Sequence, residues 1–349
     1  MESQSLEAKL GEIKFRRLLV AQQIDGKQTI ENEFDSEGIR EILAKRMEDT
    51  RRAIAGLRDR GIPISPYVEV GAERGQRSLV LENDFGARGA AADLSFDMLR
   101  SAAHYSRLFE LPHLPVRVVC DIYGLPFRTG SLPFVFCWET LHHFPEPGPI
   151  LKELHRVLAP GGYFYFDEEP FQQVLRFPIF RGRKVYSHDA IEAGTLRRLF
   201  DRFFTEPSCN EVEYGIIENH SIPLTVWRDA LAGFVDHDVT LTSSRGIRST
   251  LFGKHREPAH GLAYLLGGSI HGLCRKAGAG TPVARIEDAL ICPECRIHGT
   301  ESALELGEAG AKCPGCRTEF RTIEGVLFLL PQAKLRELYP EVAASPGSA

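Results

Sequence analysis

The stretch Tyr67–Ser78 does most to limit what this chain can fold into. A short apolar run leads into a turn that contains Gly71 and Gly75, and a helix-forming segment follows the turn. About twenty residues further on, a second apolar run ends at Asp93, which is the spacing of a nucleotide-type site. The glycines let the backbone approach a ligand closely, and the acid can accept hydrogen bonds from a ribose diol.

Short apolar runs and helical segments continue to alternate after this turn. The predicted strands are residues 67–70, 88–93, 116–120, 134–138 and 163–166, with two closing strands near 239–242 and 249–252. Apolar strands that alternate with helices are typical of a parallel sheet covered on both faces. The sequence therefore predicts an α/β fold with a doubly wound, mostly parallel, seven-stranded sheet.

Changes in composition and runs of glycine and proline divide the chain into regions. The predicted regions are an N-terminal arm and helix (1–65), the sheet domain (66–253) with a helical and aromatic cap insertion (about 168–223), a linker (254–287), a small cysteine module (288–331) and a tail (332–349). The arm is expected to be only partly ordered, because its residues show no clean helical period.

Charge and hydropathy exclude several classes of protein. The formal net charge is -5, so no global basic field attracts nucleic acid or an anionic membrane. No apolar run approaches the roughly 20 residues that span a bilayer. The first residues lack the basic and apolar blocks of a signal peptide, so the expected location is the cytoplasm.

Acidic residues recur where the predicted strands end. Glu69, Asp93, Asp121 and Glu139 would all lie at the carboxyl edge of the sheet, where open parallel sheets bind ligands. A row of acids suits a ligand with a diol, an amine and a positive charge, and it suits a pyrophosphate poorly. A dinucleotide-binding fold is the main competitor, and it would favour a third glycine and a less acidic edge.

The sheet domain resembles class I S-adenosylmethionine-dependent methyltransferases of the broad group that modifies small molecules. Five stretches carry the resemblance in the family's order and spacing: 68–71, 92–99, 120–127, 141–144 and 154–162. Two departures from the family's pattern are Glu73, which replaces the middle glycine of the turn, and Pro133, which replaces an aspartate that opens the fourth strand. Glu73 would either pair with the ammonium group of the cofactor or crowd its site.

The resemblance implies a set of residues that bind S-adenosylmethionine. Gly71 and Gly75 would line the methionine part, Asp93 would bind the ribose hydroxyls, and Asp121 would lie beside the adenine amine. The complete predicted set is Glu69, Gly71, Gly75, Asp93, Leu94, Asp121, Ile122 and Glu139.

Methyl transfer requires alignment of the nucleophile, and a hydroxyl nucleophile also requires a base. The predicted catalytic residues are His142, His143 and Glu168, and the further candidate bases are Glu169, His188 and His220. The alternative for each of these side chains, which is the commoner case, is a solvated position or a structural hydrogen bond. In the cap, Arg181, Arg183 and Lys184 would suit an anionic acceptor, whereas the cap's aromatic residues would also suit the core of an inserted subdomain.

Four cysteines near the end of the sequence have metal-ligand spacing. Cys292 and Cys295 form one Cys-x-x-Cys pair, and Cys313 and Cys316 form another. In a reducing compartment, this pattern predicts a structural Zn²⁺ site with four thiolates and no open position. The module resembles the zinc-ribbon proteins that partner and activate methyltransferases, which implies either an internal stabiliser or a recognition surface.

The sequence as a whole predicts methyl transfer from S-adenosylmethionine to a small-molecule, sugar or lipid-linked acceptor, at oxygen by preference. A first alternative is an enzyme for RNA or protein that uses the zinc ribbon for recognition, although acidic residues offset the basic residues of the ribbon. A second alternative is a non-catalytic partner subunit. The acceptor and the oligomeric state stay open.

Overall fold

The structure is a computed structural model that describes residues 4–31, 33–172, 177, 179–184, 196, 200, 203–208, 210–243, 248–250, 265 and 267–344. Its helices are α1 (Leu6–Gln23), α2 (Ser36–Asp59), α3 (Gln76–Asp84), α4 (Phe96–Leu108), α5 (Pro147–Val157), α6 (Asn210–Glu213), α7 (Leu224–Leu231), α8 (Pro293–Ile297), α9 (Gln332–Leu338) and α10 (Pro340–Ala344). Its 3₁₀ turns are Ile122–Gly124, Leu141–His143 and Ile286–Ala289.

The strands up to the cap are β1 (Tyr67–Val70), β2 (Gly89–Asp93), β3 (Val116–Val119), β4 (Leu132–Trp138), β5 (Leu158–Phe171), β6 (Phe180–Lys184) and β7 (Thr205–Ser208). The later strands are β8 (Asp236–Ser243), β9 (Arg248–Thr250), β10 (Gly268–Arg275), β11 (Glu305–Gly307), β12 (Gly310–Lys312), β13 (Glu319–Ile323) and β14 (Val326–Phe328).

Within the described residues, twelve strands form one mixed sheet. Its order is β11-β12-β13-β14-β3-β2-β1-β4-β5-β10-β8-β9, and β6 pairs separately with β7. The strands from β3 to β5 pair in parallel, as the sequence predicts, and β10 is antiparallel to both of its neighbours. The sheet is larger than the predicted seven strands and less uniformly parallel, because the cysteine module adds four strands at one edge and the unpredicted β10 is inserted between β5 and β8.

Helices cover both faces of the central strands, and the side chains of β1 show how. Val68 and Val70 belong to the cluster that includes α5 and α7, whereas Tyr67 packs with α2 and α3. This alternation follows from the two-residue period of a strand. All four residues of β1 are buried, so β1 fixes the position of the glycine turn that follows it.

The N-terminal arm is a helix, which corrects the prediction of partial order. α1 begins after Ser5, whose hydroxyl accepts a hydrogen bond from the Ala8 amide at 3.1 Å. Its buried face includes Lys9, Arg16, Gln22 and Gln23 as well as apolar residues. The sequence shows no clean amphipathic period here because the buried side of the helix both packs on an apolar cluster and lines a polar cavity.

The predicted linker and tail also contain regular structure. β10 lies between β5 and β8 in the sheet, although its sequence falls within the predicted linker 254–287. Its glycines, Gly268 and Gly272, hide the apolar alternation by which a strand is recognised. In the predicted tail, α9 and α10 bracket Tyr339, whose buried hydroxyl donates to the Leu94 carbonyl at 2.6 Å.

The cysteine module is attached to the edge of the sheet. β14 pairs in parallel with β3, with Leu327 opposite Val118. Arg296 donates to both oxygens of the Glu153 carboxylate on α5 at 2.8 Å. The module therefore covers the edge strand β3, which would otherwise expose unpaired backbone groups. In the part of the chain that the structure describes, no helix is long and apolar enough to cross a membrane.

Candidate cofactor and acceptor site

The turn after β1 requires glycine at its first position. Gly71 has φ 67°, in the left-handed region, and a Cβ there would lie 2.5 Å from Cγ2 and Oγ1 of Thr140. Gly75 has φ 65°, and its nearest neighbours would be the Cβ atoms of Ala91 and Ala102 at 3.7 Å. The turn thus brings bare backbone to the carboxyl edge of the sheet, as a close ligand contact requires.

Asp93 is joined to this turn through its carboxylate. Oδ2 accepts a hydrogen bond from the Glu73 amide at 2.8 Å, and Oδ1 accepts one from the Ser95 amide at 2.7 Å. Burial raises the pKa of Asp93 to about 6, and the two amide hydrogen bonds oppose that rise. Each carboxylate oxygen of Asp93 retains a lone pair, which could accept a hydrogen bond from a ribose hydroxyl.

Glu73, the departure from the glycine pattern, is paired with guanidinium groups. Its carboxylate lies 3.0 Å from Arg46 and 3.4 Å from Arg16, and Arg74 lies 3.8 Å away. Burial would raise the pKa of Glu73, but the charges of Arg46, Arg16 and Arg74 outweigh it and hold the pKa well below its usual range. Glu73 is therefore an ionised carboxylate beside the cavity, at φ 46°.

Asp121, the predicted adenine neighbour, is neutralised from two sides. Its Oδ2 accepts hydrogen bonds from Lys9 of α1 at 2.7 Å and from Lys334 of α9 at 2.5 Å. Its Oδ1 accepts a hydrogen bond from the Tyr123 amide at 3.1 Å. Burial opposes ionisation, but Lys9 and Lys334 outweigh it and lower the pKa of Asp121.

The two remaining acids of the predicted set have different surroundings. Glu69 is buried and accepts hydrogen bonds from the amide and the hydroxyl of Ser78, at 2.9 and 2.6 Å, so it holds the start of α3. Burial raises the pKa of Glu69 to about 7. Glu139 lies further out, has φ 46°, and is 2.9 Å from Arg46.

One cavity of about 970 Å³ connects these groups, which is at the upper end of the roughly 300–1,000 Å³ of small-molecule sites. The predicted cofactor residues that line it are Glu69, Gly71, Asp93, Leu94, Asp121, Ile122 and Glu139. The structure thus brings seven of the eight together at the carboxyl edge of the sheet, and Gly75 lies just behind them in the same turn.

The fully buried Glu169 organises the segment after β4. Its Oε1 accepts hydrogen bonds from the amides of Thr140 and Leu141, at 2.7 and 2.8 Å. Its Oε2 accepts one from Nδ1 of His142 at 3.0 Å. Glu169 therefore orients His142 and leaves the Nε2 atom of that ring directed away from the sheet.

His142 and His143 meet Glu218, which the sequence analysis did not identify. Oε2 of Glu218 lies 3.6 Å from Nε2 of His142, and Oε1 lies 3.0 Å from Nδ1 of His143. Nε2 of His220 is 3.2 Å from Oε2. Burial would lower the pKa of His143, but the Glu218 carboxylate outweighs it and raises the pKa to about 10.

The other candidate bases have different positions. Glu168 lines the same cavity, half exposed, with its carboxylate 3.8 Å from Arg77. Burial is the main cause of a raised pKa at Glu168. His188 lies outside the described residues, as do the side chains of the predicted anion-binding set, Arg181, Arg183 and Lys184.

The four cysteines of the module converge as the sequence predicts. The Sγ atoms of Cys292 and Cys316 are 3.5 Å apart, and those of Cys295 and Cys313 are 3.6 Å apart. A tetrahedron with Zn–S bonds of about 2.3 Å has sulfur separations of about 3.8 Å. The Cys295 amide donates to Sγ of Cys292 at 3.4 Å. The donor set therefore fits a zinc ion, and zinc itself remains a prediction.

Several site residues were missed by sequence reasoning. Lys9, Arg16 and Arg46 are on helices that were read as an arm and an ordinary helix, and Glu218 is in the cap. Arg16, Arg46 and Glu218 line the cavity and Lys9 binds Asp121 beside it, each from a segment remote in sequence from the motifs. The nearest signal for Glu218 was His220, two residues away, which was already a candidate base.

Part of the chain matches the model of a known protein family. The family model described as "Methyltransferase domain" matches residues 68–166. Residues 68–166 are therefore similar to a methyltransferase domain. This segment contains β2 to β4, α3 to α5 and the 3₁₀ turns Ile122–Gly124 and Leu141–His143, together with Asp93, Asp121 and the two adjacent histidines, so the methyltransferase resemblance is confirmed for this part of the chain.

Two named proteins are similar in sequence to part of this chain. The tocopherol O-methyltransferase of Arabidopsis thaliana is 30% identical over 132 residues, which is 37% of this chain and 38% of that protein. The ubiquinone biosynthesis O-methyltransferase of Albidiferax ferrireducens is 27% identical over 81 residues, 23% of this chain and 32% of that protein. This chain therefore spans less than two fifths of the length of these relatives.

Solved structures resemble a larger part of the chain. A chain from the complex of the Haloferax volcanii Trm112 methyltransferase activator with a methyltransferase has 19% sequence identity and a TM-score of 0.39. The match covers 67% of this chain and 93% of that chain.

Proposed function

We propose that this protein transfers a methyl group from S-adenosylmethionine to an oxygen of a small-molecule, sugar or lipid-linked acceptor. The observation that carries the proposal is the hydrogen bond from the Glu73 amide to Asp93, which joins the glycine turn to the acid at the end of β2. In a methyltransferase domain, these are the parts expected to hold the methionine and ribose portions of the cofactor.

The described residues fit the charge pattern of this cofactor. Its methionine part carries an ammonium and a carboxylate group, and the turn offers the Glu73 carboxylate beside the Arg46 guanidinium. Asp93 would accept the ribose hydroxyls. Asp121 would accept a hydrogen bond from the adenine amine only through Oδ1, because Lys9 and Lys334 already donate to Oδ2. We therefore assign Asp93 a larger share of the binding energy than Asp121.

Oxygen is the favoured acceptor atom for two reasons. The two relatives described above are named as O-methyltransferases. In addition, His142, His143 and Glu218 line the cavity together, and a hydroxyl acceptor is the kind that requires such basic groups. When bound, the cofactor would supply an electrophilic methyl group, His143 and Glu218 would orient the acceptor, and His142 would be the side chain placed to take its proton.

The cysteine module is better suited to stabilising the fold than to binding nucleic acid. Arg296 is paired with Glu153, and Lys312 with Glu319 at 3.1 Å, so two of the module's basic side chains are already neutralised. The pairing of β14 with β3 uses the module's strand edge internally. We propose that it holds a structural zinc ion and buttresses the methyltransferase domain.

Calorimetric titration of the purified protein with S-adenosylmethionine and S-adenosylhomocysteine tests the proposal, with NAD as the control ligand. We expect roughly micromolar binding of both adenosyl ligands, about -8 kcal/mol, and none of NAD. Asp93→Ala should weaken binding at least tenfold while thermal unfolding stays cooperative. Binding of NAD alone, or an unchanged affinity in a folded Asp93→Ala protein, would contradict the assignment.

A further inference from the structure

The histidine cluster at the cavity has a feature that the proposed methyl transfer does not explain. His142, His143 and Glu218 each present one ligand atom, and these three atoms lie within 4.8 Å of one another. All three residues line the same cavity as the glycine turn and Asp93. Two imidazoles and one carboxylate form a donor set that suits a divalent transition-metal ion.

The hydrogen bonds around His142 leave a lone pair facing Glu218. Nδ1 of His142 donates to the buried Glu169, so the neutral ring has its free lone pair on Nε2. That atom faces Oε2 of Glu218 at 3.6 Å, and two acceptors so placed repel each other unless a positive charge lies between them. A buried carboxylate that fixes a histidine through its other nitrogen is the usual support of a metal-binding histidine.

Glu218 itself is under-satisfied. Its side chain is 7% exposed, and Oε1 has no hydrogen-bond partner among the described residues. Nδ1 of His143 lies 3.0 Å from Oε1, but it donates to the carbonyl oxygen of Ile217 at 3.1 Å. Oε1 therefore has the ring of His143 beside it but no hydrogen bond of good geometry, and a metal ion would supply the missing contact.

A single proton would satisfy less of this arrangement than a metal ion would. One proton can bridge only one nitrogen–oxygen pair, whereas one ion can contact Nε2 of His142, a nitrogen of His143 and the carboxylate together. Three protein ligands would also leave a coordination position open to the cavity, which is the pattern of catalytic rather than structural metal sites. His220, 3.2 Å from Oε2 of Glu218 and more than half exposed, lies at the outer side of this cluster.

We propose that His142, His143 and Glu218 form a binding site for a divalent transition-metal ion such as Zn²⁺, separate from the four cysteines. A metal ion at this position would lower the pKa of a hydroxyl group bound to it. Its use in activating an acceptor rests on the proposed methyl transfer, but binding of the ion does not.

Metal stoichiometry and spectroscopy test the site on the full chain. Protein stripped with a chelator is dialysed against Zn²⁺, and bound metal is counted per chain; we expect two ions. Glu218→Gln keeps the size of the side chain and should retain one ion. Its metal affinity at the second site should fall by more than about 10–100-fold, which is the usual loss when only a hydrogen bond that supports a ligand is removed. His298→Ala removes a histidine outside the cluster and should retain two.

Cobalt distinguishes the two sites by the chemistry of their ligands. Co²⁺ bound to thiolates absorbs strongly in the near ultraviolet through sulfur-to-metal charge transfer, which imidazole and carboxylate ligands do not give. Glu218→Gln should bind one Co²⁺ ion fewer and keep the charge-transfer band at full strength, whereas Cys313→Ser should lose the charge-transfer band and keep the visible bands of the histidine site. His143→Ala is a second variant with the same expectation as Glu218→Gln.

Two results would overturn this proposal. One is a wild-type protein that binds a single ion per chain with the thiolate band saturated, and the other is a second ion that is bound equally well by the folded Glu218→Gln and His143→Ala proteins. Titration with S-adenosylmethionine before and after metal loading keeps the two proposals apart. Metal binding without cofactor binding would support the site and refute the methyl transfer, and the converse would refute only the site.

Discussion

Replacing Gly71 with alanine should destabilise the protein more than replacing Gly75, although the two substitutions are chemically identical. Both glycines lie in the left-handed region at nearly the same φ, 67° and 65°. They differ in the space around the added methyl group. At Gly71 this space is filled by Thr140, whereas at Gly75 the methyl group would make only ordinary van der Waals contacts. The pair therefore separates backbone strain from a steric clash.

The magnitudes follow from these two terms. The left-handed conformation costs an alanine about 1–2 kcal/mol at either position. At Gly71, the new Cβ would lie 2.5 Å from Thr140, whose hydroxyl donates to the Trp138 carbonyl at 2.7 Å and whose branched side chain has little freedom. Overpacking of this kind adds about 1–3 kcal/mol. We expect a loss of about 2–5 kcal/mol for Gly71→Ala and about 1–2 kcal/mol for Gly75→Ala.

Urea unfolding of the two variants measures the difference, and calorimetric titration with S-adenosylmethionine shows whether the turn still binds. Adding Thr140→Ser to Gly71→Ala removes Cγ2 but keeps the hydroxyl, so it should restore part of the lost stability. Equal losses in the two single variants would refute the steric argument, because only the backbone strain would then remain.

Three further predictions concern the acids and the zinc site. Because burial raises the pKa of Asp93 to about 6, affinity for S-adenosylmethionine should fall as the pH drops below 6, about tenfold by pH 5. Calorimetric titrations at several pH values measure this fall, and the affinity of Asp93→Asn should not change with pH in the same range. Cys313→Ser should release the zinc ion and loosen the module, seen as lost metal and faster proteolysis; full zinc occupancy would refute the four-thiolate site. Glu153→Gln should lower the unfolding free energy by about 1–3 kcal/mol, because the carboxylate binds Arg296 and the Leu125 amide; an unchanged urea midpoint would contradict this.

The central sheet could be predicted because its signals are local. β1, β2 and β4 are short apolar runs, and each is followed at once by the turn or acid that contributes to the site. The positions of Asp93 and Asp121 at the carboxyl edge then follow from parallel pairing alone. Four cysteines at fixed spacing are a similarly local signal.

Other parts of the site depend on contacts that local patterns do not encode. The buried residues of α1 are partly apolar and partly polar because the helix meets both a core cluster and the charged cavity, so its hydrophobic periodicity is blurred. Arg46 appears in the sequence as one of several exposed charges of an amphipathic helix, and its pairing with Glu73 emerges only when α2 packs beside the turn. Glu218 acquires its role from the 3₁₀ turn that contains His142 and His143.

The pairing of β14 with β3 has a consequence for the order in which the protein is made. Lys334, which binds Asp121, follows Asp121 by 213 residues in the sequence, and β14 comes shortly before Lys334. At roughly 5–20 residues per second, the ribosome needs about 10–40 s to synthesise the chain from Asp121 to Lys334. During that interval, β3 has an open edge, which can pair with other nascent chains. We therefore expect the sheet to depend on chaperones until the cysteine module has been synthesised and β14 has paired with β3.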